Sequence, residues 1–553
     1  MQQDTRRATG ASATRNSTGE RGLARRRAWP LAAFAGVVSA AVMLAVAELV
    51  ALLVAKESSM VLALGSFVID IIPPWAKTLV IELFGSQDKL VLLLSLGLAV
   101  LVAAAIAGVL QLIRPPLGLV LLGIAAVLSG LAIVTRTGAT SLASVPTIIG
   151  AIAGAAVLSF SATALRRWRD SSLAAAAATT TATTAASPDI SDGAPRGNVD
   201  RRSFFRLTLI SAAAAAVLGS GARLLNSTTG AVDAFRSSLR LTTRSTVPIP
   251  SGAELNIPGL SPLFTPNADF YRVDTALTVP VIDATTWSLK ITGMVDNDLE
   301  LSFQDILDMQ TDEFVTTMTC VSNEVGADLV GSARWIGVPI RDILARVGVQ
   351  SGADMVLSTS VDGWTAGTPL EALNDPGRNA ILAVGMNGEP LPLEHGFPVR
   401  MIVPGLYGYV SATKWLTELK VTTFAADEGY WTPRSWSVLG PIKMSSRVDT
   451  PRADRQIAPG PTKVAGVAWA QHTGIEAVEV QIDNGEWQRA ALSTAVNVDT
   501  WVQWVLDWEA TTGVHFIAVR AIDKNGNLQI EERVAPIPNG SSGWQKALVS
   551  VTA

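Results

Sequence analysis

From residue 31 to about residue 165 the chain carries almost no charge, and Ala, Leu, Val, Ile and Gly dominate. A helix that crosses a bilayer needs about 20 apolar residues. Runs of that kind fall at about 31–55, 89–113, 116–135 and 146–165, so this part reads as a membrane module. A further apolar stretch, "MVLALGSFVIDIIPPWAKTLVIELFG" at 60–85, holds Asp70, Pro73–Pro74 and Lys77 in its middle, where charge is costly in hydrocarbon. Basic clusters stand on either side of the module, "RGLARRRAW" before it and "LRRWRD" after residue 165. The positive-inside rule puts both in the cytoplasm, and two cytoplasmic ends require an even number of crossings. Four spans are therefore expected, with 60–85 re-entrant or lying on the outer surface. Five plain spans is the alternative.

Residues 1–30 form a basic cytoplasmic N-terminus, 31–165 the transmembrane module and 166–200 a disordered Ala/Thr-rich linker. The linker's "SSLAAAAATTTATTAASPDISDGAP" has nothing from which to build a core. In "NVDRRSFFRLTLISAAAAAVLGSGARLL", Arg201 and Arg202 precede Phe204–Phe205, Arg206 and an Ala-rich helix. Residues 201–225 thus resemble a twin-arginine export signal, placed internally. The alternative is a further span flanked by ordinary cytoplasmic arginines. In both cases the helix runs in-to-out and leaves residues 230–553 on the extracytoplasmic side.

The rest reads as soluble protein. From about 270 to 425, β-rich runs such as "WSLKITGMV", "EFVTTMTCV" and "VRMIVPG" alternate with helical patterns such as "LSFQDILDM" and "PIRDILARVG". That alternation predicts a mixed α+β domain. From about 455 short strands recur ("TKVAGVAWA", "IEAVEVQID", "TWVQWVLDW", "HFIAVRAID") with turn signals "DNGEW" and "DKNGN" between them. They predict an immunoglobulin-like β-sandwich. Over all 553 residues the net charge is −4, so no basic field points to nucleic acid.

One cysteine, Cys320 in "FVTTMTCVSNEV", permits no intrachain disulfide. A lone thiol is either a small buried hydrophobe or a ligand or nucleophile with partners elsewhere. Residues 381–416, "ILAVGMNGEPLPLEHGFPVRMIVPGLYGYVSATKWL", place His395, Arg400 and Lys414 among glycine- and proline-punctuated turns. Arginine and lysine beside such backbone suit an anionic phosphate, and a neutral histidine can donate to another acceptor.

These stretches resemble the sulfite oxidase family of molybdopterin enzymes. The likeness runs through "TPNADFYRVDTALTVP" (265–280), "TCVSNEVG…LVGSARWIGVPIRDIL" around Cys320 and "MNGEPLPLEHGFPVRMIVPG…KWL", in the family's order. The resemblance implies a molybdopterin-binding catalytic domain over 255–450 and an immunoglobulin-like C-terminal domain over 455–553, of the kind linked to dimerisation. It implies molybdenum–molybdopterin as cofactor, with Cys320 as the thiolate on the metal. By the same resemblance Asn267, Tyr271, Asp362, His395, Arg400, Thr413 and Lys414 would contact the pterin cofactor, and Arg272 would meet substrate. The expected whole is multi-domain: an α-helical membrane module, a mixed α+β molybdopterin domain, then a β-sandwich.

Departures from the family pattern concern substrate. Trp436 stands near the place of the family's tyrosine, Arg434 and Tyr430 are shifted, and "TWVQWVLDW" holds no arginine. A sulfite-like anion and an S- or N-oxide therefore both stay open as the small-molecule substrate of two-electron, oxygen-atom-transfer chemistry. Haem is not expected: a single cysteine allows no CxxCH, and His395, His472 and His515 all lie in the soluble half. Electrons would pass to a separate carrier or a quinone. The rivals are a non-catalytic membrane-tethered binding protein that uses its immunoglobulin-like domain, and a transporter with an extracytoplasmic sensor.

Overall fold

The computed structural model describes residues 28–51, 83, 88–134, 142–182, 206, 208–213, 228–453 and 455–552. They belong to two compact units, Met1–Ser227 and Thr228–Ala553.

In the first unit, helices α1 (Ala28–Ala51), α2 (Asp88–Ile113), α3 (Leu117–Val134) and α4 (Val145–Ala182) match the four expected runs. All four are long and apolar enough to cross a membrane. Many of their large side chains, including Leu94, Leu98, Val127, Ile152 and Phe160, face outward, while Ala and Ser residues pack inside beside Met43, Leu122, Leu158 and Leu165. That inversion suits a lipid solvent, in which small residues let backbones approach. Gly36 of α1 shows it: a Cβ there would sit 2.0 Å from Ala104 O of α2. The 60–85 stretch, apart from Leu83, lies outside the described residues, as do residues 1–27 and the pair Arg201–Arg202. Helix α4 runs on to Ala182, past residue 166 where the linker was expected to begin. Alanine has the highest helix propensity, so an Ala-rich run lengthens a helix already nucleated in the preceding span.

The second unit opens with α5 (Thr228–Ser238). Ten strands follow: β1 (Ser288–Gly293), β2 (Leu299–Ser302), β3 (Asp312–Thr319), β4 (Val330–Pro339), β5 (Met355–Ser360), β6 (Thr365–Pro369), β7 (Ile381–Met386), β8 (Glu389–Pro390), β9 (Arg400–Ile402) and β10 (Leu416–Thr422). They form two sheets, ordered β2-β1-β10-β5-β6 and β3-β4-β7-β8, with β9 paired to β7. One core joins them, with Leu289, Ile291, Trp335, Val338, Leu382, Val384, Phe397 and Leu419 almost free of solvent. Helix α6 (Phe303–Asp308) starts at a capping box, in which Ser302 and Asp305 each satisfy the other's backbone N–H. Helix α7 (Ile340–Val347) buries Ile340, Ile343, Leu344 and Val347, one face of a 3.6-residue period.

Nine further strands run from β11 (Ser445–Thr450) through β12 (Gln456–Ile457), β13 (Gly460–Trp469), β14 (Ile475–Ile482), β15 (Gln488–Arg489), β16 (Ala491–Leu492), β17 (Val502–Ala510) and β18 (Gly513–Asp523) to β19 (Gln545–Val551). They make sheets β11-β13-β17-β16 and β12-β19-β18-β14-β15. Alternate residues of both sheets, among them Val464, Trp504, Val478, Val480, Ile517, Val519 and Val549, share a second core.

Candidate active site

β3 reads DEFVTTMT and is buried at nearly every position, the pattern of a strand covered on both faces. Cys320 follows it directly. The Cys320 N–H donates to Leu329 O at 2.9 Å and its carbonyl accepts from Asn323 N at 3.0 Å. Asn323 Oδ1 accepts from Leu329 N at 2.9 Å, so the 320–329 loop closes on itself. The Cys320 Sγ lies 2.9 Å from Ser322 Oγ. Burial pushes the thiol's pKa up, and bonds to Ser322 and Val321 oppose it.

His395 ends the 3₁₀ turn Leu393–His395 and is buried. Burial, with smaller contributions from Arg400 and Lys414, lowers its pKa to about 4. The ring is therefore neutral, and its Nε2–H donates to Asn267 O at 3.0 Å. Arg400 opens β9 and is 5% exposed. Its Nη1 donates to His395 O at 3.0 Å and its Nη2 to Ala412 O at 3.3 Å, and its guanidinium lies 5.2 Å from the Trp335 ring. Burial lowers its pKa to about 10. Lys414 precedes β10; its Nζ donates to Asp274 Oδ2 at 2.5 Å and to Glu394 O at 3.1 Å. Burial outweighs that carboxylate and brings its pKa down to about 8. Thr413 Oγ1 pairs with Ser358 Oγ at 2.6 Å.

Two backbone devices hold these cations close. Gly396 has φ +112°, and a Cβ there would come within 3.0 Å of Lys414 Cβ and 3.1 Å of Arg400 Cβ. Only glycine accepts both the conformation and the approach. Trp415 takes φ +52° without being glycine, a strain fixed by its Nε1–H bond to Leu393 O at 2.8 Å.

Asn267 Nδ2 donates to Glu389 Oε1 at 2.9 Å, and its Oδ1 accepts from Asn387 Nδ2 at 2.9 Å. Tyr271 stacks on Phe270 with ring centroids 5.2 Å apart. Its phenol is pushed far up by burial, then by the Cys320 thiol, against the pull of Arg400. Arg272, the residue expected to meet substrate, has its Nε 2.8 Å from Asp274 Oδ2. One carboxylate thus serves both Arg272 and Lys414. Asp362 stands apart: its carboxylate accepts from Trp364 N at 3.2 Å within its own turn. That turn meets the site through backbone, Val361 N–H to Trp415 O at 2.9 Å.

Sequence reasoning missed Asp274, and it missed Tyr407. The Tyr407 phenol is pushed up to about 12 by burial and by the Cys320 thiol. Tyr407 and Tyr409 cluster with Val321, Trp431 and Trp436, so aromatic side chains pack around the residue next to the thiol. The signal was the glycine-flanked pair in "GLYGYV", between Arg400 and Lys414.

A buried arginine needs an anion, yet no carboxylate pairs with Arg400 among the described residues, and its Nε has no protein partner. Thr319 Oγ1, beside the thiol in sequence, is likewise buried without a partner. A soft sulfur donor and a buried arginine, both within electrostatic reach of Tyr271, fit a thiophilic metal carried by a phosphorylated organic group.

Residues 276–431 match the family model of the oxidoreductase molybdopterin binding domain. Mitochondrial sulfite oxidase of Macaca fascicularis is 28% identical over 341 residues, 52% of this chain and 62% of that protein. NADH nitrate reductase of Spinacia oleracea is 27% identical over 312 residues, 45% of this chain and 34% of that protein. Among solved structures, the sulfane dehydrogenase SoxCD from Paracoccus pantotrophus is similar at 20% identity and TM-score 0.47, over 58% of this chain and 92% of that one. The first mammalian relatives are spanned over about three fifths of their length. Residues 276–431 are thus an oxidoreductase molybdopterin binding domain by their family model, within a stretch of chain that is similar to sulfite oxidases.

Proposed function

We propose that the chain anchors a molybdenum–molybdopterin oxidoreductase on the extracytoplasmic side of a membrane, exported by the twin-arginine-like segment at 201–225. The observation that carries the reading is Arg400, a buried arginine with no carboxylate of its own among the described residues, which bonds His395 O beside Lys414, while Tyr271 lies within electrostatic reach of both Arg400 and Cys320. Cys320 would ligate the metal as thiolate, the metal's charge removing the proton that burial favours. Arg400, Lys414 and Thr413 would hold the pterin phosphate, and Asn267, Tyr271 and neutral His395 would line the ring system. When bound, the group supplies two-electron exchange with oxygen-atom transfer, and the protein supplies orientation and electrostatics. A separate carrier or quinone takes or delivers the electrons. The β-sandwich is read as immunoglobulin-like and of the dimerisation type.

The test is molybdenum and pterin content of the full chain beside Cys320→Ser, made in a host that synthesises the cofactor. Stoichiometric molybdenum in the wild type, with altered or lost metal spectroscopy in the variant, is expected. Wild-type protein free of molybdenum and pterin overturns the reading.

Of the two substrate classes, the site supports the neutral one. Asp274 occupies both Arg272 and Lys414, and the aromatic side chains of Tyr407, Tyr409, Trp431 and Trp436 pack around Val321. A sulfite dianion would meet few unpaired positive charges, whereas a thioether S-oxide or amine N-oxide can rest on aromatic faces. Loaded enzyme with a reduced dye should turn over a neutral S-oxide with higher kcat/KM than it shows for sulfite with an oxidised dye. The reverse order rejects this substrate class and leaves the cofactor assignment standing.

A further inference from the structure

The loop that carries Cys320 is closed by its own hydrogen bonds on one side only. On the other side it leans on the C-terminal sandwich. Ser541 Oγ–H donates to Asn323 O at 2.6 Å. Arg447 of β11, 8% exposed, donates from Nη1 to Ala327 O at 3.0 Å, while its Nε pairs with Asp449 Oδ1 at 2.6 Å. Gly326 faces Gln545 so closely that a Cβ would lie 2.8 Å from its side chain. The turn holding Ser541 also reaches the opposite wall. Pro538 O accepts from Ser437 N at 2.9 Å, and Lys443 Nζ donates to Gly540 O at 2.6 Å. Gly540, at φ +90°, lies against Tyr407, whose hydroxyl would be 2.4 Å from a Cβ at that position.

We infer that the sandwich turn 538–541 is a positioning element of the active site, wedged between the Cys320 loop and the Tyr407 wall, with Ser541 and Arg447 as its positioning residues. The second domain then has a task within a single chain, separate from any role in association. It fixes the thiol's carrier loop before the cofactor arrives, so that the ligand atom need not be ordered at the moment of binding. The inference uses the proposed role of Cys320 only to say why the position matters; the geometry holds without it.

Because Cys320 is the single cysteine of the chain, alkylation reports this loop and nothing else. The full chain, purified from a host that makes no molybdopterin, would be treated with iodoacetamide under native conditions. Ser541→Ala is expected to label about fivefold faster than wild type, the scale set by losing one neutral hydrogen bond. Ser541→Thr, which keeps the hydroxyl, should return most of the protection. Val478→Ala, a cavity in the sandwich core, controls for general loosening. Equal labelling of wild type and Ser541→Ala overturns the inference, and so does equal acceleration by Val478→Ala at matched stability. In a cofactor-competent host, Ser541→Ala should also retain less molybdenum than wild type. Since the labelling is read without cofactor, its failure is distinct from a failure of the molybdenum reading, which the wild-type metal content decides.

Discussion

His395 shows how burial sets chemistry at a single residue. Its folded pKa, about 4, lies below the ordinary 6.5 because desolvation penalises the imidazolium. Between those values the unfolded chain binds more protons than the folded one, so stability falls as pH falls through that window. The gap corresponds to about 3 kcal/mol at its acid end. Unfolding of cofactor-free protein, followed from pH 7 to 4.5, should show a steeper loss for wild type than for His395→Gln, whose amide keeps a donor for Asn267 O. Parallel curves would remove the neutral-imidazole reading. Legibility in the sequence divides the site residues in the same physical way. Cys320, His395, Arg400 and Lys414 stand in motifs that resemble those of the sulfite oxidase family, so the resemblance could single them out. Asp274 could not, because its value comes from Lys414, 140 residues away, and nothing local marks a carboxylate that will neutralise two cations. Asp362 was legible as polar and near the motifs, but its side chain is spent on its own turn.

At the level of elements, β3 explains why the site needs two domains. It is an edge strand of its sheet, and an edge exposes unpaired backbone groups unless something covers them. The sandwich supplies the cover: Thr317 N donates to Asp499 O at 2.9 Å, Trp501 N to Thr317 Oγ1 at 2.8 Å, and Asn497 Nδ2 to Val315 O at 2.9 Å. Gln471 Nε2 also donates to Thr317 O. Thr317→Val keeps the shape and removes the hydroxyl, leaving the buried Trp501 N–H without an acceptor. Such an orphan costs about 1–3 kcal/mol, so the urea midpoint should drop accordingly; an unchanged midpoint would mean the seam is wet or slack. The strands themselves were legible, because alternation in "IEAVEVQID" and "HFIAVRAID" names both faces of β14 and β18. The covering of β3 was not, since hydrophobic pattern records that a strand is buried and not by what. The end of α4 was misplaced for a related reason: low complexity signals a poor core, yet alanine needs no core to extend a helix that has begun.

For the whole molecule, the division between Ser227 and Thr228 leads to the last prediction. The second unit has two buried cores of its own, each joining two sheets, while the first shows many of its large apolar side chains outward. A fragment of residues 228–553 should therefore be soluble without detergent, unfold cooperatively, and acquire molybdenum when made in the cytoplasm of a cofactor-competent host. A fragment of residues 228–454 retains every proposed cofactor contact but lacks both the turn at Ser541 and the loop that pairs with β3. It should aggregate through the bared strand edge and hold no metal. If the shorter fragment instead stayed monodisperse and loaded fully, the sandwich would be an appendage and Cys320 would be set by its own loop alone. If the longer fragment required detergent, the apolar helices of the first unit would contribute to the folding of the second, and the separation of solvent and lipid chemistry along this chain would have to be drawn elsewhere.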